Sequence, residues 1–553
     1  MSYKYLPLRQ NNQIRLVEIQ PGRYDSETIY CTIIRRCRSD PSLKYEALSY
    51  TWGDASKLKR IIVKHSKDFY VTSNCYDALR QLRDPQEKRL IWIDAICINQ
   101  KDDEERTQQV RVMGEIYKGA SRVLVYLGEV DENSKRLFAY IARFEAEIDG
   151  VHTSWADLTD DDSILVETAR AILRRPWFSR VWVIQEVYHG RGYTTVVCGP
   201  DSAHWGDFAS CCMDLCKSGP GDFGHYSARL PTYVFTIGSS EDSALPLYEL
   251  LCQTRFANAT DPRDKFFGIL SMATDQDDVA SLANYDQSTT TIYTVIGLYL
   301  LRTTKLLLLQ ATRHQHSKFP GLASWIPDWS RNVDSDPFWN VRPDEVEAWL
   351  DEYEIDDPEL RILECCKPNK AESDHFYHPV LSVTGFRLGR IKSLGARFDF
   401  ESSSDACTDA LKRVWESGGQ EIDTPYIPPG FTSESFDSLG FYHAWSRGHG
   451  ATDELNFEFV QEAMHDCRLF FSENNILGLA PSEAAPGDVI CVIKGAADPC
   501  LLRRRLQGDW SLVSGECYYG DLFPVNALPQ DLKMYLSSQK GIEFGDEEIF
   551  TLW

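Results

Sequence analysis

At 553 residues the chain is long enough to bury several cores, and length alone suggests roughly two to four domains. A composition of 43% hydrophobic and 25% charged residues is that of globular proteins and excludes wholesale disorder and fibrous repeats. The net charge of -24 argues against a general nucleic-acid surface, since phosphate binding relies on clustered Lys and Arg.

The N-terminal "MSYKYLPLRQNNQ" lacks the apolar core of about 7 to 15 residues that a signal peptide carries, which leads us to expect an intracellular, cytoplasmic protein. Its sixteen Cys are then mostly reduced, and no two of them form a C-x-x-C pair. "YEALSYTWGD" reads as a buried strand running into a tight loop, and "RIIVKHSKDFYVTS" as a hairpin. Ser73 or Asn74 is placed to cap a short helix through Leu82, and "LIWID", Leu90 to Asp94, is a second core strand ending at an acid. Acidic residues Asp102 to Glu105 favour the start of the next helix, Glu105 to Ala120, whose Val110, Met113, Ile116, Tyr117 and Ala120 recur at helical spacing. "SRVLVYLGE" is a third strand. Strand, helix, strand, helix, strand with short joins implies a parallel sheet with right-handed crossovers, whose chemistry belongs at the carboxyl ends of its strands. "SYTWGD" and "DAICINQ" both stand at such ends.

Residues 131–174 read as a helical insertion before "RPWFSRVWVIQEV", in which Trp182 and Glu186 lie four apart and so share a helical face. Beyond 190 the chain reads as mainly helical to about 335. There "IYTVIGLYLLRTTKLLLLQ" is interrupted by Arg302 and Lys305, which favours a buried helix followed by a strand over a membrane span. The acidic "PDEVEAWLDEYEIDDPELRILE" reads as a solvated helix or linker. From His378 the pattern turns to strands, with Asn474, Asn475, Pro486 and Gly487 as turn residues, giving a small β-rich domain with a helical insertion at about 403–466. The expected organisation is thus 1–190, 191–375 and 376–553. "CCMDLC" and His314 with His316 have no partner cluster at ligand spacing, so no metal site is expected.

Three long stretches in order, "YEALSYTWGD", "LIWIDAICINQKDDEERTQQVRVMGEIYKGASRVLVYLGE" and "RPWFSRVWVIQEV", resemble the fungal heterokaryon-incompatibility (HET) domain family over roughly residues 40–190. "DPRDKFFGIL", "LASWIPDWS" and the Gly-Asp pair of "APGDVICVIKG" resemble segments commonly found downstream in such proteins. That family is in turn similar to Toll/interleukin-receptor (TIR) domains. The resemblance implies an α/β fold with a TIR-like parallel sheet flanked by helices, here followed by the helical region and the β-rich domain. It aligns Ser49 to Asp54, Asp94, the helix of Glu105 to Ala120, Val123 to Leu127, and Trp182 with Glu186 onto the TIR pattern, and the insertion at 131–174 departs from it.

In the enzymatic members of that wider group the helix Glu is required to cleave the N-glycosidic bond of NAD, which makes Glu186 the catalytic carboxylate by resemblance. A carboxylate suits the oxocarbenium-like charge left on the ribose as nicotinamide departs, and no metal or second acid is needed because the leaving group is already cationic. From its spacing alone Glu186 is equally a helix-margin acid paired with Arg180 or another base. Trp182 either stacks on a nicotinamide or adenine ring or packs in a core with Phe178. Ser49, Tyr50, Trp52 and Gly53 either line the nucleotide cleft, Gly53 allowing close backbone approach, or are ordinary strand-to-loop packing. Asp94 either contacts ribose hydroxyls or accepts from loop amides or Arg106, with Asn99 and Gln100 organising the same loop. Arg106 either meets a pyrophosphate or pairs with Glu or Asp. No P-loop, G-x-G-x-x-G or G-x-S-x-G motif competes with this reading.

The expectation is a self/non-self recognition or cell-death effector that hydrolyses NAD as substrate, without a cofactor. Self-association and an incompatibility partner protein are expected, and membrane insertion is not. The alternative is a catalytically silent assembly or partner-docking module.

Overall fold

A computed structural model describes residues 3–24, 28–63, 67–147, 162–190, 192–218, 245–279, 282–312, 317–331, 359–364, 377–398, 466–474, 476–496, 498–515, 517–519 and 545–553. The chain divides into two compact units, residues 1–287 and 288–553.

The first unit is built on a nine-stranded mixed sheet. Its strands are β1 (Gln13–Ile19), β2 (Tyr30–Cys37), β3 (Glu46–Tyr50), β4 (Leu58–Val63), β5 (Lys67–Thr72), β6 (Arg89–Trp92), β7 (Arg122–Tyr126), β8 (Thr194–Cys198) and β9 (Asp201–His204), in the spatial order β5-β4-β2-β1-β6-β3-β7-β8-β9. The expected parallel unit is its centre: β3 runs parallel to both β6 and β7, with Tyr50 opposite Tyr126 at the end of the ladder. The expected hairpin is β4–β5, Leu58 facing Thr72.

Helix α1 (Ser73–Leu82) buries Cys75, Ala78, Leu79 and Leu82, one helical stripe, and its cap is Thr72, whose hydroxyl accepts from the Cys75 amide, rather than Ser73 or Asn74. A single turn α2 (Asp94–Cys97) follows β6. The helix expected over 105–120 is broken at Val112 into α3 (Asp103–Arg111), capped by Asp102, and α4 (Met113–Lys118). The insertion supplies α5 (Glu132–Glu147) and α6 (Asp162–Leu173). The "RPWF" stretch does not continue as one helix: a 3-10 turn, Pro176–Ser179, precedes α7 (Trp182–His189).

Two features of the sheet depart from the sequence reading. β1 and β2 join the parallel centre antiparallel through the β1–β6 pairing, and β8–β9 adds a hairpin just after 190, where helix was expected, before α8 (Trp205–Ser218). Both additions carry fully buried side chains, Ile14 and Leu16 on β1 and Val196 and Cys198 on β8, as strands within a covered sheet do. β1 also carries Arg15, which is 1% exposed and grips Glu105 through two bonds of 2.5 and 2.8 Å. Glu105 is therefore a core partner on α3 rather than a solvated first-turn acid, and its Oε1 also accepts from the Asn99 amide at 2.7 Å.

In the second unit the run Thr289–Thr304 is helical and is followed by a 3-10 segment, Lys305–Ala311, not by the expected strand. By length and composition the combined segment Thr289–Ala311 could cross a bilayer, and half of its most apolar window is buried within the protein. The C-terminal strands are β10 (Glu359–Glu364), β11 (Tyr377–Leu394), β12 (Cys467–Ser472), β13 (Leu477–Pro481), β14 (Val489–Ile493), β15 (Cys500–Arg504), β16 (Trp510–Ser514), β17 (Tyr518–Tyr519) and β18 (Glu547–Leu552). Pairings β14–β15–β16–β18–β11 return to β14, so the long β11 closes a ring. The end of the acidic stretch is thus a strand, β10 on β11, rather than linker. At the Gly-Asp pair, Asp488 accepts from Arg503 Nε and Nη2, each at 2.7 Å, and caps the Ala485 amide, which gives that motif a turn-locking role. The insertion expected at about 403–466 lies outside the described residues, save Asp466.

Candidate functional site

β3 carries Glu46 to Tyr50 through the middle of the sheet and delivers Ser49 and Tyr50 to its carboxyl end, beside the loop of Trp52 and Gly53. β6, the parallel neighbour, delivers Asp94 to the same end. α7 lies against it with Glu186 turned inward, 3% exposed. Topology therefore joins three segments far apart in sequence, as open parallel sheets do at their carboxyl edge.

Glu186 sits at the centre of a hydrogen-bonded chain. The Trp177 indole donates to Ser49 Oγ at 2.8 Å, and that hydroxyl donates to Glu186 Oε2. Since Ser49 accepts from Trp177, its only proton is directed at the carboxylate. Tyr117, on α4, donates to the Leu48 carbonyl at 3.1 Å, and its hydroxyl polarity also lowers the Glu186 carboxyl. Burial pushes the Glu186 carboxyl up to about 7; the Arg180 guanidinium, the Ser49 bond and the Tyr117 hydroxyl oppose the rise, while Asp94 adds to it. Asp94 is likewise raised by burial and opposed by Arg180 and by the Trp52 indole, which donates at 2.7 Å. Arg180 itself donates to the Tyr50 carbonyl, and its charge acts on both acids.

The structure thus brings together Ser49, Tyr50, Trp52, Asp94 and Glu186. Ser49 is fully buried and Tyr50 is 2% exposed, with its phenol raised well above its ordinary range by burial, whereas Trp52 and Asp94 are only partly buried. Gly53 has φ +76°, and a Cβ there would come within 2.7 Å of the Asn74 side chain, so glycine is required by the turn itself. Asp94 accepts from the Ala95 amide at 2.7 Å, and Gln100 donates to the Asp94 carbonyl. Its charge partner is Arg180, not Arg106.

Arg106 stands elsewhere. It pairs with Asp103 at 3.1 Å and lies 4.5 Å over the Tyr285 ring. Tyr285 donates to Asp264 at 2.5 Å. Trp182 is partly buried and packs against the core of the first unit, four residues from Glu186.

Arg180 as the shared cation, Trp177 and Tyr117 as donors, and Asp264 were not identified as site residues from sequence. Trp177 and Arg180 lie inside the quoted "RPWFSRVW", and Asp264 inside "DPRDKFF", so residue type was visible and spatial role was not. Among the described residues no group of three or more His, Cys, Asp or Glu converges as a metal site would require. His314 and His316 lie outside the described residues.

Such a site combines a carboxylate whose ionisation falls near neutrality, a fixed cation and aromatic faces, a set able to stabilise positive charge on a bound sugar and to hold a flat ring. The family described as heterokaryon incompatibility protein (HET) matches residues 45–186, a span that contains every candidate residue named above from Ser49 to Glu186. The chain is similar to the heterokaryon incompatibility protein 6, OR allele, of Neurospora crassa, with 29% identity over 407 residues covering 58% of this chain and 58% of that protein. The match therefore spans less than two thirds of the relative's length. No solved structure matches the chain. Residues 45–186 are a heterokaryon incompatibility domain, and the chain that carries them is a distant homologue of the Neurospora incompatibility protein.

Proposed function

We propose that the first unit hydrolyses the N-glycosidic bond between nicotinamide and ribose in NAD, and that the chain acts in self/non-self recognition or cell death as a TIR-like effector. The observation that carries this reading is the desolvated Glu186 at the carboxyl end of β3, held by Ser49, its carboxyl lowered by the nearby Arg180 charge. In the reaction the bonding pair of the C–N bond leaves with the nicotinamide nitrogen, turning a pyridinium cation into neutral nicotinamide. Water then bonds to the anomeric carbon and releases a proton, giving ADP-ribose. Glu186, ionised, opposes the oxocarbenium-like charge or holds the ribose hydroxyls. Asp94 and Trp52, on the partly buried side, contact ribose and ring, and Trp182 lends a stacking face. Cytoplasmic location, self-association, an incompatibility partner and no membrane insertion belong to the same proposal, with recognition or restraint assigned to the C-terminal half.

The second reading is a silent assembly or docking module, and one observation favours it: Glu186 is 3% exposed and its Oε2 already accepts from Ser49. Incubating the purified chain with NAD and following free nicotinamide separates the two. Release that disappears in Glu186→Gln supports the enzyme; no release from folded wild type at any concentration supports the module.

A further inference from the structure

Helix α2 is a single turn that begins with Asp94, and a single turn cannot satisfy its own last carbonyls. The Ile98 amide returns to the Asp94 carbonyl at 3.1 Å, while the Ile96 and Cys97 carbonyls are taken by side chains from far upstream. The Tyr5 hydroxyl donates to the Ile96 carbonyl at 2.9 Å, and Arg15 Nη1 donates to the Cys97 carbonyl at 3.0 Å. Both donors lie outside residues 45–186, the span that the family matches.

Each donor is fixed in turn. The buried Arg15 guanidinium is gripped by both Glu105 oxygens, and its Nη2 also donates to the Leu6 carbonyl at 2.8 Å. The Tyr5 ring lies 4.8 Å from that guanidinium and edge-on to Phe69, with 6.1 Å between ring centroids. Because Glu105 Oε1 accepts from the Asn99 amide at 2.7 Å, one ion pair ties down the chain leaving α2 at two points, Cys97 through the arginine and Asn99 through the glutamate. At the other end of the turn, Trp52 Nε1 donates to Asp94 Oδ2 at 2.7 Å and Gln100 Nε2 to the Asp94 carbonyl at 3.1 Å. A guanidinium suits this place because its donors form a rigid fork that can serve several acceptors at once.

We infer that Arg15 and Tyr5 are positioning residues: from chain that precedes the matched domain they hold the turn whose first residue is Asp94, and with it the Asp94 carboxylate beside the Trp52 indole. The ligand that meets this carboxylate rests on the NAD reading given above; the hold on the turn does not. A buried ion pair adds little net stability because desolvation offsets its attraction, so what the Arg15–Glu105 pair supplies is the geometry of α2.

The test uses the full chain. Tyr5→Phe keeps the ring beside Arg15 and deletes only the bond to Ile96, whereas Arg15→Lys keeps the charge but leaves one nitrogen where a fork served several acceptors. Tyr5→Phe should raise KM for NAD about fivefold, as expected for one lost hydrogen bond, with kcat nearly unchanged, the reverse of Glu186→Gln. Hydrogen exchange at the Cys97 and Ile98 amides, read by mass spectrometry on a peptide spanning 93–99, should accelerate by a similar factor while the β3–β7 ladder keeps its wild-type rate. The exchange arm needs no turnover. If wild type releases no nicotinamide, the functional reading fails and the exchange still decides whether the turn is held. Equal acceleration in α2 and in the β3–β7 ladder would reduce the two residues to general stability and overturn the inference. Unchanged exchange in α2 would overturn it too, as would, in an active wild type, a KM that stays constant while α2 loosens. Arg15→Lys should exceed Tyr5→Phe in the same direction on both readouts; should it fail to fold with Glu105 left poorly paired, Tyr5→Phe, at a partly exposed side chain, decides alone.

Discussion

Replacing Glu186 by Gln preserves shape and reach while removing the ionisable group, and its two consequences have opposite signs. Burial raises the carboxyl from its ordinary 4.5 to about 7, against the pull of Arg180, Ser49 and Tyr117. Because the folded value lies above the unfolded one, the stability Glu186 contributes is complete below pH 4.5, declines as pH rises toward 7, and is gone above it. The difference between 4.5 and about 7 corresponds to roughly 3 kcal/mol, carried by a residue 3% exposed and so not screened by water. Glu186→Gln removes this slope: denaturant unfolding should show the variant gaining on wild type between pH 5 and pH 8 by up to that amount, less whatever the Ser49 bond and the Tyr117 hydroxyl lose with the charge. Turnover should move the other way, falling about 100-fold or more, as when a preorganised electrostatic contact is lost. Both quantities are read on the same preparations, nicotinamide release and unfolding free energy at pH 5 and pH 8. Full activity in folded Glu186→Gln would transfer the catalytic role to Asp94. Equal destabilisation at both pH values would refute the burial argument and identify Glu186 as an ordinary half of a buried ion pair.

In the wild type, kcat/KM for NAD should rise through pH about 7 as Glu186 ionises, and a profile flat from pH 5.5 to 8.5 would remove that carboxylate from the rate equation. If assembly completes the site, specific activity should increase with protein concentration; a constant value from dilute monomer upward would exclude control by self-association. A fragment ending at residue 287 should fold and retain NAD binding, whereas one ending at 190 loses Asn258 and Ser271 from around α7 and the Ala283 carbonyl that receives Arg111. Native circular dichroism and NAD binding in the 1–190 fragment would show those contacts to be dispensable.

Local pattern was sufficient for the centre of the first sheet. Apolar runs ending in Ser49-Tyr50 and in Trp92, separated by helices with recognisable starts, determine β3, β6 and β7 and their parallel sense, because parallel strands are buried on both faces and crossovers have one hand. That Ser49, Trp52, Asp94 and Glu186 share one end of the sheet follows from the same topology. What tertiary structure decided is which polar groups meet. Arg15 and Glu105 are 90 residues apart and form a buried pair that no spacing rule reports. β1, β2, β8 and β9 become strands because an existing edge accepts them, so their assignment depends on neighbours rather than on their own residues. Arg180 lies inside the quoted motif as a possible partner for Glu186, but only the fold puts its N–H on the Tyr50 carbonyl and its charge within reach of both acids. The physical reason is range: periodicity is imposed by backbone geometry over a few residues, whereas the partner of a buried charge is selected by desolvation, which acts on whatever the folded chain brings within reach.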